Sequence, residues 1–507
     1  MKKLSIRKHH KWFGIIMSFF IIMFCLSGLL LNHRNLINNK NVSRRWLPSR
    51  YEFNNWNGGL LRGTHRLVDG YVVVYGSNGM FLTDSTAYSF ADFNDGLPIG
   101  TDFRQIRNMA ITRHIKNGEK RVAMFAVSPF ALYRYAVHGT WHTIKLPLND
   151  DERLTDITAH NDTLVVMSRS RIYIGLPPYS SFRSISLAPS ALSDGKATSF
   201  RTVWMLHSGE LFGTTGKLVV DLIAIVLLLI CVSGLVFWIG KKTRPSKENM
   251  KLKARILKTS LSWHDRVGRY TIILTLFICF TGWLLRPPMM IPLAMTRIPT
   301  LPGTTLHSDN AWHDKLRLIR HDDKMGDWLI STSEGFYSLG TSIEKPSIPQ
   351  YIANTPPVSV MGLNVWQKDK DGYWLCGSFS GMFRWDRQHS VSTDFFTGKE
   401  ALKKAGAPFG KKAITGYSND FVTKTTVNRN THTTHTHVVT EYYDGTKSIR
   451  QPEWMNNLPM SLWNVALEVH SGRIFIGNIA TYLFVLIMGM AAIWSLWTGY
   501  KIRGKRK

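Results

Sequence analysis

The chain has 507 residues, of which 44% are hydrophobic, and its formal net charge is +29. This length exceeds that of one simple domain. In a soluble protein such a charge would favour nucleic-acid binding, but here the basic residues cluster beside apolar runs, which argues against a nucleic-acid partner. Four apolar runs approach the roughly 20 residues that a helix needs to cross a bilayer: 12–32, 217–240, 267–286 and 474–498. The sequence therefore predicts a membrane protein.

The basic residues predict the orientation of these helices. Residues 1–11 and 501–507 each carry five Lys or Arg, and residues 241–258 carry eight with one Glu. The positive-inside rule places all three segments in the cytoplasm. The long segments 33–206 and 287–469 are then exported, into the periplasm if the cell has an outer membrane.

The predicted fold class is membrane α-helical, with four transmembrane helices in two parallel repeats, plus a β-rich exported domain. Each half begins and ends in the cytoplasm. In chain order we expect the N-terminus with helix one, an exported segment, helix two, a basic cytoplasmic loop, helix three, a second exported segment, and helix four with a basic tail: 1–32, 33–206, 207–240, 241–263, 264–286, 287–469 and 470–507.

Short alternating runs separated by glycine turns indicate strands in both exported segments, as in 69–82 and 371–386. The pattern resembles the blades of a β-propeller. One propeller-like domain built from both segments and two separate β-domains both remain open. His432, His435 and His437 could bind a metal through imidazole, but we favour an exposed polar strand there.

Histidines beside the helices recur in the two halves. His10-Lys-Trp-Phe-Gly14 aligns with His264-Asp-Arg-Val-Gly268, and each precedes an apolar run. A second motif also recurs, as His207-Ser-Gly209-Glu-Leu-Phe-Gly213 and as His470-Ser-Gly472-Arg-Ile-Phe-Ile-Gly477. An interfacial histidine is commonly an anchor or a cap, but an anchor has no reason to keep both the histidine and the glycine one turn later. The duplication therefore favours a ligand role.

The chemistry that needs such histidines is haem ligation, in which imidazoles from two helices hold one iron. We predict His10 and His264 as ligands at the cytoplasmic ends, and His207 and His470 at the exported ends, with His33 as an alternative there. The glycines predicted to leave room for a flat macrocycle are Gly14, Gly209, Gly213 and Gly268. The expected cofactor is one or two haem b groups, because ligands at both faces would let electrons cross the bilayer.

Two further features concern the helices themselves. A straight helix from His207 to Lys241 would be about 51 Å long, so we expect His207 at or above the outer interface, or a strongly tilted helix. Asp221 within this helix is a candidate for proton or quinone handling. Small residues recur as Cys-x-Ser/Thr-Gly ending at Gly28, Gly234 and Gly282, and helix packing suffices to explain them.

The motifs resemble those of bacterial proteins with PepSY-associated transmembrane helices. The resemblance lies in His10-Lys-Trp-Phe-Gly14, Ser27-Gly28-Leu29 and Leu206-His207-Ser-Gly209-Glu-Leu-Phe-Gly213. It covers the four helices and their flanks, about a quarter of the chain, whereas the exported segments do not look like ordinary PepSY domains.

This resemblance implies an inner-membrane haem oxidoreductase that passes electrons to a periplasmic ferric siderophore or other ferric chelate. Membrane quinol or a separate reductase would be the donor, since no dinucleotide-binding motif is present. The alternative is a non-enzymatic sensor or scaffold whose propeller-like domain binds a ligand or a protein.

Overall fold

The structure is a computed structural model that describes residues 3–116, 119–149, 152–243, 249–359, 361–401, 410, 412–427, 430–477 and 480–502. The chain forms two compact units, each built from both halves of the sequence. The helical unit comprises Met1–Ile37, Gly195–His307 and Leu462–Lys507, and the β unit comprises Asn38–Asp194 and Ser308–Ser461. Both long segments therefore contribute to one β unit, which answers the question of one domain or two.

The helices within the described residues are α1 Lys3–Asn32, α2 Arg34–Ile37, α3 Thr101–Arg104, α4 Ser199–Ser208, α5 Gly213–Lys242, α6 Met250–Tyr270, α7 Ile272–Leu284, α8 Met290–Met295, α9 Leu462–His470 and α10 Ala480–Lys501. All except α3 belong to the helical unit. Three stretches in the described chain are long and apolar enough to cross a membrane: Ser5–Asn32, Glu210–Lys242 and Ala480–Lys501.

The third predicted span is bent. Helices α6 and α7 meet at 71° and pass the same test only as a pair. At the break, the backbone N–H and the hydroxyl of Thr271 both donate to the carbonyl oxygen of Val267, at 3.0 and 2.8 Å, and bonding of this kind by a threonine hydroxyl often accompanies a bend. The predicted helix three, 264–286, therefore contains a break at Thr271, and the predicted basic loop 241–263 is helical from Met250 onward.

The second predicted span is interrupted rather than straight. Helix α4 ends at Ser208, because Gly209 adopts a left-handed conformation with φ of 81°. Helix α5 then begins at Gly213, whose φ is also positive, at 61°. Residues 207–240, predicted as helix two, are therefore not one continuous helix. Helix α9 likewise ends at His470 before α10 begins. A short helix that ends at or next to a histidine therefore precedes both α5 and α10.

Five four-stranded antiparallel sheets occur among the described residues of the β unit, each with its strands in sequence order. The strands are β2–β5 (Gly63–Arg66, Val72–Gly76, Gly79–Thr83, Phe90–Asp92), β6–β9 (Asn108–Lys116, Glu119–Val127, Leu132–Tyr135, Trp141–Ile144), β10–β13 (Leu154–His160, Thr163–Ser168, Ile172–Gly175, Phe182–Ile185), β16–β19 (Leu316–Asp322, Asp327–Thr332, Phe336–Ser338, Gln350–Ile352) and β20–β23 (Leu363–Lys368, Trp374–Ser378, Gly381–Asp386, Val391–Asp394).

Three two-stranded ladders complete the described sheets. In the β unit, β1 (Asn41–Val42) pairs with β26 (Met460–Ser461), and β24 (Ile414–Val427) with β25 (Asn430–Glu441). In the helical unit, β14 (Lys196–Thr198) pairs with β15 (Arg297–Pro299). The side chains of His432 and His435, considered above as metal ligands, lie outside the described part of β25.

The sheets have buried centres and are linked through their first strands. Strands β3, β17 and β21 are buried at every position, as their runs of apolar residues require when both faces are covered. Hydrogen bonds join β2, β6, β10, β16, β20 and β24 in a closed cycle through the pairs His65–Met109, Asn108–Asp156, Asp156–Arg320, Arg320–Trp366, Asn364–Ile414 and Thr64–Ser418. The sheets follow one another along the chain, and the hydrogen bonds between their first strands return from β24 to β2.

Candidate functional site

The first pair of histidines joins the beginning of α1 to α6. The ring centroids of His10 and His264 are 5.9 Å apart. His10 Nδ1 lies 3.1 Å from the carbonyl oxygen of Ser495 on α10, and His264 Nδ1 lies 2.8 Å from that of Ile230 on α5. Four helices therefore fix the two imidazoles.

The second pair joins the ends of α4 and α9. The ring centroids of His207 and His470 are 6.1 Å apart. His470 Nδ1 lies 2.8 Å from the carbonyl oxygen of Phe24 on α1. His207 Nδ1 lies 3.0 Å from the hydroxyl of Thr281 on α7, and that hydroxyl donates to the carbonyl of Phe277 at 2.9 Å. The Thr281 oxygen therefore accepts a hydrogen bond from His207.

These contacts assign the tautomer of all four rings. A carbonyl oxygen only accepts hydrogen bonds, so Nδ1 of His10, His264 and His470 must carry the hydrogen. The bonded Thr281 hydroxyl imposes the same on His207. In a neutral imidazole the other nitrogen, Nε2, then keeps its lone pair. In all four histidines, the Nε2 lone pair can therefore bind an electrophile or a metal ion.

A glycine on a different helix lies against each of these rings. A Cβ added to the glycine would be 2.8 Å from Cε1 of His10 (at Gly499), 3.0 Å from that of His264 (at Gly234), 2.8 Å from that of His207 (at Gly282) and 3.1 Å from that of His470 (at Gly28). Any larger residue would have to displace the imidazole.

The recurring Ser/Thr-Gly motifs thus do more than pack helices. In three of the four cases the residue before the glycine also approaches the ring: Ser27 lies 3.2 Å from His470 Nδ1, and Ser233 lies 3.4 Å from His264 Nδ1, while Thr281 contacts His207. Sequence reasoning attributed these motifs to packing alone. The signal that could have revealed their role was their recurrence at the same depth as the histidines.

The glycines predicted from the sequence have other positions. Gly14 borders the first pair, with its missing Cβ 3.7 Å from the Ser495 hydroxyl, whereas a Cβ on Gly268 would meet open space. Gly209 and Gly213 shape the break between α4 and α5 through their positive φ angles. None of the four lies against one of the paired imidazoles.

His33, predicted as an alternative ligand, lies with Asp221 instead of with the second pair. Its Nε2 is 2.7 Å from Asp221 Oδ2, and the amide of Asn32 donates to Asp221 Oδ1 at 3.0 Å. Asp221 is buried, and these two bonds compensate part of the cost of burying a carboxylate. The Nε2 of His33 is therefore already engaged by a carboxylate in this structure.

A cavity of about 380 Å³ adjoins the first pair. Its walls include both imidazoles and apolar side chains such as Leu227 and Ile230. Lys11, Lys241 and Lys242 also line it. An apolar cavity with cations on its wall and two imidazoles suits a flat apolar ligand that carries acidic groups.

The two pairs lie at opposite ends of one helix. His10 belongs to the first pair, while Gly28 packs against a ring of the second. Eighteen residues separate them on α1, which corresponds to about 27 Å at the α-helical rise. That length is close to the thickness of the hydrocarbon core of a bilayer.

The model of a protein family described as the PepSY-associated TM region matches residues 133–506 of the chain. The chain belongs to this family. The match confirms the resemblance inferred from the motifs, and together with the apolar helices it identifies a membrane protein.

Comparison with solved structures gives weaker likenesses. The extracellular domain of a hybrid two-component system from B. thetaiotaomicron is 9% identical with a TM-score of 0.34, covering 76% of this chain and 32% of that one. A second such domain from the same organism is 9% identical with a TM-score of 0.31, covering 80% and 36%. The chain thus spans about a third of these structures, and likeness at this level carries no conclusion. The search of curated proteins found no match.

Proposed function

We propose that each histidine pair holds the iron of one haem b, and that the protein carries electrons across the membrane. The observation that carries this proposal is the spacing of the pairs, with ring centroids 5.9 and 6.1 Å apart. Two imidazoles that face one metal ion, with metal–nitrogen distances of about 2 Å, have centroids about 6 Å apart. Bis-histidine ligation then gives a haem that is suited to electron transfer.

The residues around the first pair fit such a group. His10 and His264 would hold it through Nε2, and their Nδ1–H bonds to carbonyl oxygens fix the ring orientation and raise the basicity of the ligand nitrogen. Lys11, Lys241 and Lys242 would neutralise its two carboxylates. When bound, the haem supplies a one-electron couple between ferric and ferrous iron.

The second pair offers the same ligands with the same spacing. His207 and His470 would be the ligands, held by Thr281 and by the carbonyl of Phe24. Because this site lies at the other end of α1, the two pairs together span the apolar layer. One pair alone would leave the electron on one side of the membrane.

We further propose an orientation and an acceptor for this chain. The basic termini favour a cytoplasmic location of both ends in a bacterial inner membrane, with the β unit in the periplasm. The acceptor would be a ferric siderophore or another ferric chelate, and the donor would be quinol or a separate reductase. The cycle of contacts among first strands supports a propeller-like β unit, with β24 and β25 as a sixth, two-stranded sheet.

The decisive experiment is a dithionite-reduced minus oxidised absorbance spectrum of the detergent-purified protein, with haem quantified per chain. We expect a b-type spectrum and two haems. His10→Ala and His264→Ala should each remove one haem, and His207→Ala and His470→Ala should each remove the other. His33→Ala is the matched control, because His33 contacts Asp221 rather than either pair, and it should retain both haems.

A protein purified without haem after expression with ample haem would contradict the proposal and favour the sensor or scaffold alternative. The acceptor is tested separately. Addition of a ferric siderophore to the reduced protein under anaerobic conditions should restore the oxidised spectrum. A reduced spectrum that persists with several ferric chelates would remove this class of acceptor without affecting the haem assignment.

A further inference from the structure

Two histidines and one aspartate converge in the β unit, far along the chain from the paired histidines. His160 is the last residue of β10, His321 lies near the end of β16, and Asp323 follows that strand. One ligand atom from each of the three residues can be chosen so that all lie within 4.8 Å of one another. The first strands of two sheets that are joined through Asp156 thus end at the same place.

The contacts within this cluster point its nitrogen atoms at one oxygen. Nδ1 of His321 is 2.7 Å from Asp323 Oδ1, and Nδ1 of His160 is 3.6 Å from the same oxygen. The two imidazole centroids are only 3.7 Å apart, with 34° between the ring planes. Ligand atoms bound at about 2 Å to one tetrahedral ion are separated by about 3 Å, and two such imidazoles have centroids about 5 Å apart. Binding an ion would therefore turn the two stacked rings away from each other by about 1 Å while Asp323 stays beside both.

The surrounding structure holds the ligands while leaving the cluster accessible. Asp322, between His321 and Asp323, points into the interior, where Lys368, Arg387 and Trp374 bond to its carboxylate. Its neighbour His321 therefore points to the opposite side of the strand, where it contacts Asp323 of the following turn. The side chain of Asp323 is 74% exposed and that of His160 is 32% exposed, so solvent could supply the remaining ligands.

We propose that His160, His321 and Asp323 form a binding site for a divalent first-row transition-metal ion, such as Zn²⁺. Two imidazole nitrogens with one carboxylate oxygen favour these ions, whereas Mg²⁺ and Ca²⁺ prefer sites made of oxygen alone. With three protein ligands, the site keeps at least one coordination position open to solvent. The proposal is independent of the haem sites, because all three residues belong to the β unit.

The test is Zn²⁺ binding to the full-length, detergent-purified protein, after treatment with a chelator that is then removed. Isothermal titration calorimetry and zinc analysis after dialysis would be compared for the wild type and for His160→Gln, His321→Gln and Asp323→Asn. His389→Gln is the matched control, because His389 also contacts a carboxylate, that of Asp386 at 2.8 Å, but is paired with no second histidine among the described residues.

We expect the wild type to bind one Zn²⁺ more tightly than each of the three variants by at least about tenfold, with the control equal to the wild type. Excess Mg²⁺ should not displace the zinc. Asp323→Asn changes an exposed side chain, so its thermal unfolding should match that of the wild type and separate loss of binding from loss of folding. Equal zinc stoichiometry and affinity in the wild type and the three variants, or no zinc bound by the wild type, would overturn the proposal.

Discussion

Gly282 lies against the imidazole of His207, so closely that a Cβ on the glycine would be 2.8 Å from Cε1 of the ring. Real Cβ atoms essentially never come so close to another heavy atom. The glycine and Thr281 before it therefore act together, since the first admits the ring and the second bonds its Nδ1. The position of the second histidine pair is thus encoded on α7, and not only on α4 and α9.

If each pair holds a haem as proposed, replacing Gly282 by alanine should displace His207 and reduce the haem content of the second pair only. The measurement is haem per chain together with the reduced-minus-oxidised spectrum. Gly268→Ala is the matched control, because a Cβ there meets open space. Both changes raise helix propensity by about 1 kcal/mol, so equal haem loss in the two variants would contradict a specific contact with His207.

Replacing Lys241 by glutamine should lower the midpoint potential of the haem that we propose at the first pair. A cation beside the cavity favours the reduced, more negative state, and its loss should cost on the order of tens of millivolts. A spectroscopic redox titration measures this. Lys501→Gln is the control, since both ammonium groups lie 4.5 Å from an aromatic centroid but only Lys241 lines the cavity. An equal shift in both variants would argue against a local effect.

Composition and motif recurrence predicted the membrane class and the family, because runs of apolar residues and duplicated histidines are visible in one sequence. The breaks in the helices were missed. The break before α5 depends on Gly209 and Gly213 adopting positive φ, and the bend between α6 and α7 lies at Thr271, whose hydroxyl bonds back to Val267. Each of these residue types is also common within transmembrane helices, so the sequence alone does not distinguish a break from a continuous span.

The candidate site was predicted only in part. The repeat identified the four histidines that lie in pairs, but the glycines that contact their rings are not among those predicted. Gly14 and Gly268 follow their histidines along the same helix, whereas Gly499 and Gly234, which contact those rings, belong to other helices. Aligning the two halves of the sequence reveals which residues recur on each helix. It does not reveal which residues of different helices are in contact, because that depends on the tertiary structure. The cluster of His160 and His321 was missed for the same reason.

Replacing Asp156 by alanine should destabilise the β unit strongly. Its carboxylate is buried and receives hydrogen bonds from Asn108, from the backbone of Ile319 and from Arg320. Removing it leaves a largely buried guanidinium without its partner, which costs about 3–5 kcal/mol. Denaturant unfolding of the full chain, followed by tryptophan fluorescence, measures the change.

The control for this prediction is His389→Ala, which removes an exposed side chain that also contacts a carboxylate, that of Asp386. Its free energy of unfolding should stay within about 0.5 kcal/mol of the wild type, as is usual for surface substitutions. A similar decrease in the free energy of unfolding in both variants would contradict the prediction. The hydrogen bonds of Asp156 between first strands would then contribute no more to stability than an exposed contact.

Replacing His65 by glutamine should make the stability of the β unit less sensitive to acid. Burial lowers the pKa of His65, although its bond to the carbonyl of Met109 and the nearby Asp420 act in the opposite direction. The unfolded chain therefore binds a proton below about pH 6.5 that the folded chain excludes. The stability that this group contributes is complete above that pH and falls as pH decreases, by up to about 1.4 kcal/mol per pH unit.

The measurement is the free energy of unfolding from pH 8 to pH 5. It should depend less on pH in His65→Gln than in the wild type, whereas the exposed control His389→Gln should follow the wild type. Parallel curves for all three proteins would show that His65 does not set the acid response.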